Sequence, residues 1–169
     1  MTTLKYLKNY GPDTLQQVQN LIDENKLKAF LLNKYPKPHN IKSDAALRDH
    51  VLSYKNRYLK KSSPLSKVGF DGKIHVINNA LGLHRYINRV QGSKIKSKNE
   101  LCVSTVFKNS PIEFLNMIVV HELAHLKEKE HNKAFYKLCQ HMLPDYHQLE
   151  FEMRLYLTQL DIGGNIYKT

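Results

Sequence analysis

The residues best suited to chemistry in this chain are two histidines and a glutamate in the run His121-Glu122-Leu123-Ala124-His125. On an α-helix, positions i and i+4 lie on one face, so both imidazoles can reach a single metal ion. Glu122 is close enough to take a proton from a water beside that metal. Catalytic zinc sites use three protein ligands and leave one position open. The spacing therefore predicts a zinc hydrolase site, with Glu122 as general base, that needs one more ligand.

His131 is the favoured third ligand, although it lies six positions after His125 and so cannot share its helical face. The polar residues 127–130 between them can form a turn that brings His131 back. Some zinc hydrolases take a glutamate from a later helix instead. The competing ligands are therefore His141, His147, Glu150 and Glu152. For Glu150 and Glu152 we prefer the interpretation that they lie on a solvated helix face.

Helices are predicted on both sides of this motif and in the first third of the chain. Apolar residues recur at helical spacing from Pro12 to just before Pro36, which predicts one helix, and Ser43 is the expected N-cap of a second. The helix that carries the motif is expected to start with Ser110 as N-cap, Pro111 in the first turn and Glu113 completing a capping box. Two further helices are predicted at about 132–142 and 146–160, the latter capped by Asp145.

Short β-like runs occupy the middle of the chain. Val68–Phe70 and Lys73–Ile77 flank Asp71-Gly72, a typical hairpin turn, and Leu83–Val90 and Leu101–Phe107 are further candidate strands. The order of helices, then strands, then helices predicts an α+β fold with a short antiparallel sheet of three or four strands. We expect an N-terminal helical segment at residues 1–62 and a catalytic domain at 63–169, packed as one compact unit.

The charge of the chain is uneven. The formal net charge is +11, but residues 1–110 carry 20 basic and 7 acidic residues, whereas residues 111–169 carry 6 and 8. The basic part attracts anions. It contains four residues in or beside the predicted strands that are candidates for contact with an anionic substrate, of which Arg89 is favoured: Arg85, Arg89, Lys94 and Lys96. Tyr146 is a further candidate, as a hydrogen-bond donor to a developing oxyanion.

Composition excludes several classes of protein. The two cysteines, Cys102 and Cys139, form neither a disulfide framework nor a thiolate metal site, which suits a reducing compartment. There is no signal-peptide pattern, and the longest apolar run is far too short to cross a bilayer. We therefore expect a cytoplasmic protein without a membrane partner.

The residues quoted so far resemble the YgjP-like metal-dependent hydrolases, which are distant relatives of the SprT and WLM zinc metallopeptidases. The resemblance is carried by residues 119–127, by His131-Asn132-Lys133-Ala134-Phe135 and by Pro144-Asp145-Tyr146. It implies a small zincin-like domain with one Zn²⁺, or another divalent metal, held by His121, His125 and His131. It also implies that Glu122 is the catalytic base.

Three functions follow as expectations. The first is hydrolysis of a nucleoside triphosphate such as UTP, of the pyrophosphohydrolase type, because YgjP-type proteins are described as cleaving such anions. The second is an SprT-type metalloendopeptidase, which acts on polypeptides, including those attached to DNA, and binds them by strand addition to Leu101–Phe107. The third is a basic nucleic-acid-binding module without enzymatic activity. It is disfavoured because a structural zinc site is normally closed by four ligands and because it leaves Glu122 without a role.

Overall fold

The computed structural model describes residues 4–74, 82–91 and 94–167. Within these residues the elements follow the expected order of helices, sheet and helices, which confirms the α+β class. The α-helices are α1 (Pro12–Asp23), α2 (Leu27–Lys34), α3 (Asp44–Tyr58), α4 (Ile112–Ala124), α5 (Lys133–Met142) and α6 (Tyr146–Gly163), and the strands are β1 (Leu65–Asp71), β2 (Gly82–Gln91) and β3 (Lys94–Ser104).

The sheet is mixed, so the expectation of a purely antiparallel sheet is wrong. β2 and β3 form an antiparallel pair in which Gln91 lies opposite Lys94. β1 instead runs parallel to β3, with Val68 opposite Leu101. This topology arises because β3 returns between the two earlier strands, which gives the order β1-β3-β2. In the hairpin expected at Asp71-Gly72, the second strand starts at Lys73. Lys73 and Ile74 belong to no strand, and the rest of that expected strand lies outside the described residues.

The central position of β3 removes the structural basis expected for peptide binding. Val103, for example, pairs with Phe70 of β1 on one side and with Gly82 of β2 on the other. Strand addition needs a free edge, and β3 has none along this stretch. The strand also ends at Ser104, and a short 3₁₀ helix spans Thr105–Asn109. The prediction that Leu101–Phe107 is an exposed, peptide-binding strand is therefore wrong.

The single helix expected before Pro36 is divided in two. Asn25 adopts a left-handed conformation with φ of 55°, and α2 starts afresh at Leu27. The amide of Lys26 donates to the carbonyl of Leu21, which closes the turn. Asparagine tolerates left-handed backbone better than other residues with a side chain. The helical periodicity continues through the break, which is why the pattern alone predicts one helix.

The predicted helix starts are partly confirmed. Ser43 Oγ accepts from the amide of Ala46 at 3.1 Å, and the Asn132 side chain accepts from that of Phe135 at 2.9 Å. Ser110 does not cap α4, because the helix starts one residue later than expected, at Ile112, with Pro111 in the N-cap position. The buried hydroxyl of Ser110 donates to the carbonyls of Phe107 and Pro111 instead. The side chain of Asp145 makes no capping hydrogen bond to α6.

Helix α4 forms the centre of the molecule. Its apolar residues are almost completely buried, and it contacts β2 and β3 as well as α3, α5 and α6. Neighbours on several sides hold this helix rigidly, which is what a precise site at its C-terminal end requires. The core that surrounds it includes Leu31, Leu47 and Leu101 from the earlier part of the chain. No helix in the described part of the chain is long and apolar enough to cross a membrane.

Candidate metal centre

The last turn of α4 presents the first two histidines. His121 is in the helix and His125 is the residue at its C-cap. The helical spacing places their ring centroids 5.1 Å apart, with the ring planes nearly perpendicular at 78°. The predicted geometry of positions i and i+4 is therefore observed.

His131 joins them by the reversal of the chain after α4. The amides of Lys127 and Glu128 both donate to the carbonyl of Ala124, which turns the backbone sharply. As a result His131 Nε2 lies 3.1 Å from His125 Nε2, and the ring centroids of His131 and His121 are 4.9 Å apart. The three histidines thus form one cluster, as the sequence predicts.

The cluster has dimensions that fit a metal ion. One ligand nitrogen from each of the three residues can be chosen so that all lie within 4.8 Å of one another. Bonds of about 2.0–2.1 Å in a tetrahedral site place ligand nitrogens about 3.4 Å apart. The observed nitrogens need only small side-chain rotations to reach that spacing. The donor set of three imidazoles suits zinc and neighbouring transition metals.

The Nδ1 atoms of two of these rings already have hydrogen-bond partners. His125 Nδ1 donates to the carbonyl of Glu128 at 2.9 Å. His121 Nδ1 lies 2.8 Å from the hydroxyl oxygen of Tyr146. Such partners fix the ring orientation and the tautomer of a metal-binding histidine and leave its Nε2 lone pair for the ion.

The electrostatics favour the neutral form of His121 and of His125. Burial, together with smaller contributions from the neighbouring His125 and His131, lowers the pKa of His121 to about 3. Burial also lowers the pKa of His125, although its bond to the Glu128 carbonyl opposes this. A protonated imidazole cannot bind a metal, so these shifts favour the form that can.

One aromatic ring packs against all three imidazoles. Phe135, the third residue of α5, is fully buried. Its ring centroid lies 5.0 Å from that of His121, 4.7 Å from that of His125 and 4.9 Å from that of His131. This contact fixes α5 against the end of α4 and restricts the rotation of the histidine rings. No local pattern indicates this role, because the spacing of Phe135 is also that of an ordinary core residue.

Glu122 is next to His121 on α4 and only 4% exposed. It is three positions before His125, and residues i and i+3 are neighbours on a helix surface. A buried carboxylate next to His121 on the same helix is suited to accept a proton from a water at the cluster.

Tyr146 is not placed for the substrate contact that we expect from the sequence. It is completely buried on α6, and its hydroxyl contacts His121 Nδ1 and the sulfur of Cys139. A developing oxyanion would have to replace these partners. The residue lies behind a histidine of the cluster and so orients it, a role that the sequence did not reveal.

The competing ligands lie elsewhere. Glu152 is 1% exposed and accepts hydrogen bonds from Lys34, Tyr35 and, at 2.9 Å, Gln148. Glu150 pairs with Arg154. The interpretation of Glu152 as a solvated helix residue is wrong, because it anchors α6 to α2. His141 and His147 are both exposed, and their rings contact Tyr58 and Tyr136 respectively.

The backbone places the four candidate anion-binding residues on the sheet. Arg85 and Arg89 are on β2, and Lys94 and Lys96 are on β3. Arg89 lies directly opposite Lys96 in the antiparallel register, and β2 contacts α4. The contacts predicted for these four side chains lie outside what the structure describes.

Two comparisons with known proteins agree with the resemblance seen in the sequence. Residues 72–156 match the family described as "YgjP-like, metallopeptidase domain". The chain is also 55% identical over 165 residues to a protein of Escherichia coli (strain K12) named UTP pyrophosphatase, an alignment that covers 98% of this chain and 99% of the relative. No solved structure matches the chain. The predicted family is confirmed, and the family together with the histidine cluster indicates a bound metal.

Proposed function

Because the chain belongs to the YgjP-like family of metal-dependent hydrolases, we propose that it hydrolyses a nucleoside triphosphate, UTP in the first instance. The reaction is of the pyrophosphohydrolase type: water attacks the α-phosphorus, the bond from that phosphorus to the bridging oxygen breaks, and UMP and pyrophosphate leave. The observation that carries the proposal is the similarity to UTP pyrophosphatase, which extends over nearly the whole of both chains.

We propose that the metal is zinc, one ion per chain, held by His121, His125 and His131. The three imidazoles that converge at the end of α4 support this assignment. A divalent metal at that position polarises a phosphoryl oxygen and makes water easier to deprotonate.

The chain's own groups supply the remaining chemistry. Glu122, as the general base, accepts a proton from the attacking water and can then donate it to the leaving pyrophosphate, so the proton balance closes within the site. The burial of Glu122 and of the helix around it limits the access of bulk solvent. Low local dielectric strengthens the interaction of each of these groups with a highly charged substrate.

Basic residues of the sheet provide attraction for the triphosphate. Arg89 and Lys96 are partners in the register of β2 and β3, and Arg85 and Lys94 lie on the same two strands. Arginine binds phosphate oxygens through a planar fork of donors, whereas lysine acts as a point charge. We propose that these residues, Arg89 foremost, hold the phosphates over the histidine cluster.

The test is a comparison of substrates with matched variants. Purified, metal-loaded protein is assayed in parallel on UTP, on the other nucleoside triphosphates and on an unfolded protein. We expect release of pyrophosphate from UTP, and a loss of at least ~100-fold in rate for Glu122→Gln without loss of metal. Glu113→Gln is the control, since it makes the same change at the opposite end of α4.

Two results would reject the proposal. Equal rates for Glu122→Gln and the unaltered protein would show that a contaminant or another base is responsible. Cleavage of the unfolded protein without cleavage of any nucleotide would assign the chain to peptide hydrolysis instead.

A further inference from the structure

Two aromatic side chains extend outward from the histidine cluster. Tyr136 is on α5, and its ring centroid is 6.4 Å from that of His131. His147, the second residue of α6, lies 5.4 Å beyond it, with the two ring planes inclined by 38°. Tyr136 is half-buried and His147 is exposed. We call these two residues the aromatic shelf: Tyr136 lies next to the cluster, and His147 is exposed to solvent.

Packing holds the inner ring of the shelf in place. Tyr136 meets Phe135 edge to face at 5.2 Å and lies 6.3 Å from Tyr146. Both neighbours are fully buried, and both also contact His121. The shelf is therefore positioned by the same two residues that support the proposed metal ligands, which makes its place relative to the cluster well defined.

The shelf has the chemistry of a site for a nucleobase. Bases stack on aromatic side chains irrespective of their identity, because every base presents a flat π-face. In a nucleotide whose phosphates lie at the histidine cluster, one sugar separates the base from the nearest phosphate. That separation is similar to the distances between the ring centroids of His131 and Tyr136 and between those of Tyr136 and His147. Lys133 is exposed one turn before Tyr136 on α5, where it adds positive charge on the phosphate side.

We propose that Tyr136 and His147 bind the base of the substrate by stacking, so that the enzyme acts on nucleotides in preference to inorganic polyphosphates. The proposal rests on the proposed function, because it places the base relative to the cluster that cleaves the phosphates. Stacking alone does not distinguish uracil from other bases. The shelf therefore contributes affinity for nucleotides as a class.

Binding measurements test the shelf separately from catalysis. UTP and inorganic tripolyphosphate are titrated into zinc-loaded protein that carries Glu122→Gln, with and without Tyr136→Leu or His147→Ala. We expect Tyr136→Leu to weaken the binding of UTP about 10-fold and to leave tripolyphosphate unchanged, because tripolyphosphate has no base. Tyr136→Phe keeps the ring and should bind UTP nearly as well as the parent.

The controls and the contrary outcomes are distinct. Tyr54→Leu changes a half-buried tyrosine of α3 that makes no contact with the cluster, and zinc content with thermal unfolding shows whether each variant is folded. Unchanged UTP affinity in both Tyr136→Leu and His147→Ala would overturn the shelf, as would an equal loss for UTP and tripolyphosphate. If the parent binds UTP with the expected dependence on Tyr136 but the active enzyme does not cleave it, the proposed function fails and the shelf stands. If the parent binds no nucleotide, both fail.

Discussion

His121 Nδ1 and the hydroxyl oxygen of Tyr146 are 2.8 Å apart, although the two residues are separated by 25 positions in the chain. The hydroxyl also contacts the sulfur of Cys139, so a buried chain of polar groups links α4, α5 and α6 behind the histidine cluster. When Nδ1 of His121 carries the proton, it donates to the Tyr146 hydroxyl, and Nε2 of His121 is then free for a metal.

Removal of the Tyr146 hydroxyl should therefore weaken metal binding. We expect Tyr146→Phe to lower zinc affinity about 10–100-fold, as is usual when the outer partner of a ligand histidine is lost. Competition with a chelator measures the affinity. Tyr156→Phe, which changes another buried tyrosine of α6, is the control. Equal affinities in the two variants would show that Tyr146 only packs.

The histidine cluster should determine the metal content. Protein purified without chelator should contain about one zinc per chain, and His121→Ala or His125→Ala should lose it, because two imidazoles hold zinc far less tightly than three. His141→Ala, which alters an exposed histidine against Tyr58, should retain it. Elemental analysis gives the answer, and full metal content in His121→Ala would refute the assignment.

The buried carboxylate of Glu152 should make stability depend on pH. Burial alone would raise its pKa, but the bonds from Lys34, Tyr35 and Gln148 lower it below 4.5. A carboxylate with a lowered pKa stabilises the fold above its unfolded pKa, and this contribution is lost as the pH falls through the folded value. Glu152→Gln should thus cost about 1–3 kcal/mol of unfolding free energy at pH 7 and flatten the decline below pH 4.5.

Denaturant unfolding at several pH values tests this expectation. Glu150→Gln is the matched control, because that residue is only partly buried and its pair with Arg154 should contribute about 0–1 kcal/mol. A Glu152→Gln variant with the stability and acid sensitivity of the parent would show that the network has no net effect.

Cys139 should be unreactive in the folded protein. It is fully buried, and that burial raises the pKa of its thiol to about 12, so very little thiolate exists at neutral pH. Only the thiolate reacts with alkylating reagents. We expect Cys139 to be labelled only when the protein unfolds, which mass spectrometry of a labelling time course detects. Rapid labelling of Cys139 in native protein would contradict its burial.

The break between α1 and α2 should depend on a residue that tolerates left-handed backbone. Asn25→Gly should be neutral or slightly stabilising, whereas Asn25→Val should destabilise the protein by about 1–2 kcal/mol, because a β-branched side chain is strained at φ of 55°. Thermal unfolding of the two variants provides the comparison. Equal stability would indicate that α1 and α2 can merge without cost.

Local patterns predicted much of this protein because their causes are local. The spacing of His121 and His125 on one helical face, the cap at Ser43, and the order of helices and strands each depend on residues a few positions apart. The turn at residues 127–130 also returned His131 to the cluster as predicted, since polar residues that follow a buried helix readily reverse the chain.

Other features depended on where distant segments pack. Strand pairing is decided by the whole sheet, and within the described residues β3 took the central position between β1 and β2. Glu152 is buried and not solvated because Lys34, the last residue of α2, and Tyr35, which follows it, both bond to its carboxylate. Ser110 could have capped α4, but the helix starts at Ile112 with Pro111 in the N-cap position.

By itself the sequence determined the family and the residues able to bind a metal, because helical spacing and side-chain chemistry are written in short runs of residues. Only the tertiary structure decided which groups stand behind those residues. Tyr146 contacts His121, Phe135 packs against all three histidine rings, and Tyr136 contacts His131. These contacts arise where α5 and α6 fold against the end of α4. Packing between distant segments has no fixed spacing in the sequence, and so no local pattern could have predicted it.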